Sequence, residues 1–142
     1  MQRILSLDIG TRRTGIAYGE LPSGIVVALD TIQHDSDAAL IDTVVSVVHQ
    51  RKVGALCIGL PLLLSGHEGK QSDYVRSVGQ MLSARLHLPI HWVDERFTTS
   101  RAPSSVAHDP DAGAACSIVE TWMTLQQKRK SEHRNGIDIK RI

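Results

Sequence analysis

Apolar residues along the chain change period several times, and the changes mark out the elements. Ile4, Leu5 and Leu7 form a short run that reaches Asp8 and breaks at Gly10. Such a run reads as a strand buried on both faces. Residues 14–20 (TGIAYGE) and 25–32 (IVVALDTI) each follow a glycine-containing turn. With the first run they predict an antiparallel meander of three strands. Asp35, Ser36 and Asp37 then offer N-caps for a helix to about Arg51, where Leu40, Ile41, Val44, Val45, Val47 and Val48 recur at helical spacing. Residues 53–60 (VGALCIGL), stopped by Pro61, predict a buried parallel strand. After a loop around Gly66 and Gly69, Val75, Val78, Met81, Leu82 and Leu86 predict an amphipathic helix over 70–86. Residues 90–93 form a short strand with Asp94, Glu95 and Arg96 at its end. Thr98 or Thr99 caps a short helical piece that Pro103 interrupts. Asp109 as N-cap and Pro110 at the first helical position open a last helix. Its expected apolar face is Ala114, Ala115, Ile118, Val119, Trp122 and Leu125. The order predicts an α/β fold: a five-stranded mixed sheet, a three-strand antiparallel meander plus two parallel strands, with helices on both faces.

Composition narrows the picture. At 142 residues and 42% hydrophobic, the chain suits one globular domain with a proper core. No stretch is long and apolar enough to span a bilayer, so no membrane role is expected. The first residues, MQRILSLDIG, lack a signal-peptide pattern, which leads to an expected cytoplasmic location. Cys57 and Cys116 sit in apolar segments without CxxC spacing and read as buried free thiols. Net charge is only +1, and aromatics are 4%, which disfavours a base-stacking platform. Six Lys or Arg crowd into residues 128–142, read either as a flexible solvated tail or as a grip on phosphates.

Three carboxylates share a description. Asp8 ends the first strand, Glu95 lies just past the last one, and Asp111 sits in the first turn of the last helix. A carboxylate at a buried strand end needs a partner. Asp8 either caps the glycine turn or ligates a metal. Should the first strand be central, all three acids converge at one end of the sheet, and a divalent cation relieves their repulsion. Oxygen donors suit Mg²⁺ or Mn²⁺ rather than zinc. Two such ions would clamp the attacking and leaving oxygens of a phosphodiester displacement. The rival readings pair Glu95 with Arg96 and leave Asp111 to the helix dipole. Asp94 and Asp109 are neighbours able to replace Glu95 and Asp111.

These residues carry a resemblance. LDIGTRRTGIA at 7–17, IGLPL at 58–62 with Gly66 and Gly69, DERFTT at 94–99 and DAGAA at 111–115 stand in the order and rough spacing of the YqgF/RuvX family. That family comprises pre-16S rRNA nucleases also called Holliday junction resolvase-like proteins, of ribonuclease H-like fold. The resemblance covers about residues 1–127, leaving 128–142 as a basic tail. It implies a central first strand and a metal-dependent nuclease site on Asp8, Glu95 and Asp111. The implied substrate is structured RNA such as pre-16S rRNA, handled with ribosomal particles; branched DNA is the alternative, and a non-catalytic RNA-binding assembly role a third. Oligomeric state stays open between monomer and homodimer. Arg12, Arg13 and Arg96 lie beside the site and are candidates to hold phosphates, as is Lys70 at a helix start, with solvated charge as the rival reading. The chain departs from the family in one place: only SRAPSSVAHDP separates Thr99 from Asp111, where a longer lysine-rich segment is usual. His67 and His108 are loop histidines that could enter the site by proximity.

Overall fold

A computed structural model describes residues 1–97 and 109–134. In chain order it contains β1 (Gln2–Ile9), β2 (Arg13–Leu21), β3 (Val26–Ala28), β4 (Ile32–Gln33), α1 (Asp37–Arg51), β5 (Ala55–Leu60), α2 (Lys70–Leu86), β6 (Ile90–Asp94) and α3 (Pro110–Arg134). A short 3-10 turn, Glu95–Phe97, follows β6. The sheet runs β3-β2-β1-β5-β6, with β4 also paired to β2. β1 is central: antiparallel to β2 and parallel to β5, which is in turn parallel to β6. The C-terminal ends of β1, β5 and β6 therefore meet at one edge, which places Asp8 and Glu95 at the same end of the sheet.

Strand alternation divides the core into two layers. Leu5, Leu7, Ile9, Leu56, Ile58 and Leu60 point to the face covered by α1 and α2, where Leu40, Val44, Val75, Val78 and Leu82 meet them. Each such side chain contributes about 1.5–3 kcal/mol by leaving water. The opposite face is built differently. Ile4, Leu21, Ala55, Cys57 and Val93 pack there against Ile118, Val119, Trp122 and Met123 of α3. Ser6, on the same face, is fully buried and donates its Oγ–H to the Ala115 carbonyl at 2.6 Å. Gly15, Ala17 and Gly19 on β2, with Ala55, Cys57 and Gly59 on β5, leave little side-chain bulk, so α3 lies close to the strands.

Ser36 is the N-cap of α1, its Oγ accepting from the Ala39 amide at 3.1 Å. Asp109 precedes α3, and its Oδ1 accepts from the Asp111 amide at 3.0 Å. Both cysteines are buried and free.

Four expectations are corrected. The meander and the two parallel strands are present as expected, but the 25–32 segment is split into two strands, giving six among the described residues: the Leu29 amide still reaches the Ile16 carbonyl at 3.1 Å, and the chain then leaves the ladder around exposed Asp30 before rejoining β2. Aspartate is a poor strand residue. The last helix passes position 127 and runs to Arg134, so Lys128, Arg129 and Lys130 lie on it rather than in a flexible tail. Its buried stripe is Ala112, Ala115, Cys116, Ile118, Val119, Trp122 and Met123, while Leu125 is 47% exposed. Leu125 stands two residues beyond Met123, about 200° around the helix. On α2, Met81 is likewise turned outward and Gly79 inward, where the Trp92 ring leaves no room for a side chain. Thr98, Thr99, Pro103 and His108 lie outside the described residues, as do 135–142.

Candidate active site

Asp8 sits near the end of β1 and faces α3, directly opposite Gly15 of β2. Gly15 has no side chain for a reason of space. A methyl group there would overlap the Asp111 carbonyl. The first turn of α3 therefore rests on the β2 backbone, beside Asp8. On the other side of β1, a methyl group on Gly59 of β5 would come within 2.5 Å of both Glu95 Oε1 and Ile118 Cδ1. The Glu95 carboxyl occupies that gap. Two absent side chains thus make room for two acidic residues flanking Asp8.

The electrostatics follow from this crowding. Asp8 and Glu95 are hydrogen-bonded to each other through their side chains. Burial raises the pKa of Asp8, the bond to Glu95 opposes that rise, and the charge of Asp111 adds to it. Burial also raises Glu95, to about 8, with the bond and charge of Asp8 next and the charge of Asp94 after. The bond between them thus acts in opposite directions, lowering Asp8 and raising Glu95, so Glu95 keeps its proton to the higher pH. Two partly desolvated carboxylates in contact cannot both ionise cheaply without a cation.

Asp111 stands apart from this pair. Its Oδ2 accepts from Arg13 Nε at 2.7 Å, and Arg13 Nη2 lies 3.6 Å from Asp109 Oδ1. Among the described residues, no three or more His, Cys, Asp or Glu side chains converge on one point as a ready ligand set. The donor chemistry that would fit a hard divalent ion is the Asp8–Glu95 pair, with Asp111, held by Arg13, as the third carboxylate of this region.

The neighbouring acids have other partners. Asp94 accepts from the Arg96 backbone amide at 2.9 Å and from its guanidinium at 2.8–3.2 Å, and these contacts pull its pKa down. Asp109 accepts from Thr31 Oγ1 at 2.5 Å and from the Asp111 amide, which also lower its pKa. Both are positioned to hold local structure. Arg12 and Arg13 line a cleft with Gln33, His34, Asp35 and Ala39. Lys70 is exposed at the first turn of α2. His67 is exposed and bonded within its own turn, Nδ1 to Ser65 Oγ at 3.1 Å.

Reading single residues for chemistry missed Gly15, Gly59 and Ser6. Their signal was available as alternation: small residues at 15, 17 and 19 and again at 55, 57 and 59 mark strand faces under a close-packed helix.

Comparison with known proteins agrees with this geometry. The family model described as RuvX, Holliday junction resolvase, matches residues 2–125. A Gloeobacter violaceus protein is 33% identical, over 98% of this chain and 94% of its own length. One from Chloroflexus aurantiacus is 31% identical over 94% and 93%. Both are provisionally named pre-16S rRNA nucleases. Among solved structures, Thermus thermophilus RuvC in complex with a Holliday junction substrate superposes with a TM-score of 0.68, covering 89% of this chain and 96% of that one. Fowlpox virus resolvase does so with 0.59 over 88% and 99%. At 8% and 10% identity, these two establish the shared fold.

Proposed function

The chain belongs to the RuvX family, a family of nucleases, and from that premise we propose that it hydrolyses phosphodiester bonds of structured RNA, with a divalent metal, in maturation of the 16S rRNA 5′ end. The observation that carries the reading is the Asp8–Glu95 carboxyl pair, partly buried, hydrogen-bonded and set at the end of the central strand. Mg²⁺ or Mn²⁺ would be held by Asp8 and Glu95, and a second ion would need Asp111 as well. When bound, such ions supply a nucleophilic water at neutral pH and charge for the leaving 3′-oxygen.

The chain's own residues account for the rest. Asp8 is fixed by the β1–β2 ladder and Glu95 by the gap over Gly59, so neither carboxylate needs to reorganise as substrate arrives. Arg13 holds Asp111 in reserve. A substrate phosphate competing for that guanidinium would free Asp111 to turn toward Asp8, coupling substrate arrival to completion of the ligand set. Arg12 stands in the same cleft and would meet the backbone on one side, Arg96 on the other.

The test is hydrolysis of a structured RNA spanning the 16S 5′ end, with Mn²⁺, by wild type and Asp8→Asn. Loss of cleavage in the variant supports the reading. Equal rates would indicate a contaminating nuclease and remove the assignment. The family description favours a second reading, resolution of Holliday junctions. That requires two symmetric cuts and a two-fold dimer, so a four-way DNA junction in the same assay separates the two.

A further inference from the structure

Residues 61–69, PLLLSGHEG, leave the C-terminal end of β5 as a small hairpin beside Glu95. Its construction is thorough for so short a connection. The Leu63 amide donates to the His67 carbonyl at 2.9 Å, and the Gly66 amide donates back to the Leu63 carbonyl at 2.8 Å. Gly66 takes φ +88°, which closes the turn. Leu62 and Glu68 pair as a bridge. Below, Ser72 Oγ–H donates to the Pro61 carbonyl, and Arg76 of α2 grips Glu68 through two bonds, 2.5 and 2.9 Å. The Arg76 guanidinium itself lies 4.8 Å over the Trp92 ring. The Leu63 side chain packs on Gly69, and the Arg96 guanidinium lies against Gly66.

All of this fixes a tip whose side chain makes little contact with the protein. Leu64 is 99% exposed, and its neighbour Leu63 is 54% exposed. A lone exposed leucine is ordinary. This leucine is carried on an anchored hairpin that follows β5 at the end of the sheet holding the carboxyl pair, and whose Gly66 lies against the Arg96 guanidinium. The proposed occupant is a nucleic acid, whose one large apolar surface is the face of a base.

We propose that Leu64 is a wedge that inserts against the base step adjoining the scissile phosphate of a base-paired RNA and holds it unstacked during cleavage. Apolar side chains inserted between base steps act in this way. The hairpin sets the position of the wedge relative to Glu95, and Arg96 meets the phosphate between them. The inference rests on the nuclease reading above and adds its specificity element: the enzyme would select sites where one step opens.

The experiment compares wild type, Leu64→Ala and Leu64→Lys on an RNA helix with 2-aminopurine placed in turn at each position flanking the cut. Stopped-flow fluorescence is read with Mg²⁺ before product forms. Because Leu64 is solvent-exposed, neither variant threatens the fold. Wild type should brighten 2-aminopurine at one flanking position, and both variants should lose the signal. Their kcat/KM on the paired RNA should fall by roughly tenfold or more, as expected when an unstacking cost is no longer met. A mismatch at that step should restore most of the rate. An unchanged signal in Leu64→Ala, or an equal loss of rate on paired and mismatched RNA, would overturn the wedge. Wild type binding RNA without any brightening would overturn it too while leaving the nuclease reading intact. Failure of wild type to bind RNA at all would remove both.

Discussion

Replacing Gly59 with alanine tests the geometry of the site without touching an ionisable group. The added methyl would stand 2.5 Å from Glu95 Oε1, 2.5 Å from Ile118 Cδ1 and 3.0 Å from Glu95 Cγ. Ordinary contact between such atoms is about 3.5 Å, so one neighbour must retreat by about 1 Å. Ile118 of α3 is 1% exposed and packed against the sheet. The Glu95 side chain, only partly buried, is the one with room to give way. Overpacking of this kind costs about 1–3 kcal/mol, and a displacement of about 1 Å in a reacting constellation costs about 100-fold in rate. Gly59→Ala should therefore melt a few degrees lower and lose about two orders of magnitude in kcat/KM on structured RNA at a temperature where it is fully folded. Gly19→Ala is the control. It meets the flexible end of Met123 at 2.7 Å, near the other end of β1 from Asp8, and should lose stability with near-normal cleavage. A folded Gly59→Ala enzyme with wild-type kcat/KM would refute the claim that this gap positions Glu95.

The remaining predictions concern charge and the buried hydroxyl. Asp8 and Glu95 have pKa values above their ordinary ones; folding therefore takes up protons, so their contribution is fully present below the ordinary carboxyl range and is lost as pH rises through about 8. Thermal melts in EDTA should fall across that window, Asp8→Asn should flatten the fall, and Mg²⁺ should raise the melting point most at the alkaline end; a pH-independent melting point would contradict the pair. Ser6→Ala removes the donor to the Ala115 carbonyl and should cost about 1–2 kcal/mol in urea unfolding, with no change denying that bond a role in seating α3.

Much of this molecule could be read from its residues, and the failures have physical causes. β1 was legible because an apolar run ending in aspartate and glycine fits little besides a buried strand that meets a turn. The helices were legible from their period and caps, as with Ser36. The division of residues 25–32 into β3 and β4 was not, because a β-branched run hides a short break in pairing at residues 29–31 that only the ladder with β2 reveals. The face of α3 is not legible at Leu125, because hydrophobicity alone does not fix the angle around a helix; Met123 and Cys116 take the buried positions. The three acids could be chosen by type and position, yet the inequality among them was invisible. That Asp8 and Glu95 bond to each other while Asp111 leans on Arg13 depends on which backbone lies under each carboxyl. Gly15 and Gly59 set that, and a glycine in sequence does not announce what occupies its vacant side.

The account stands on Asp8 and Glu95 acting together as the seat of a divalent cation. Crystals grown with Mn²⁺ and measured at the manganese absorption edge test this directly. An anomalous peak within coordination distance of both carboxylates, absent from Asp8→Asn crystals, is the predicted result. Manganese bound elsewhere, with Asp8 and Glu95 still hydrogen-bonded to each other, would contradict it.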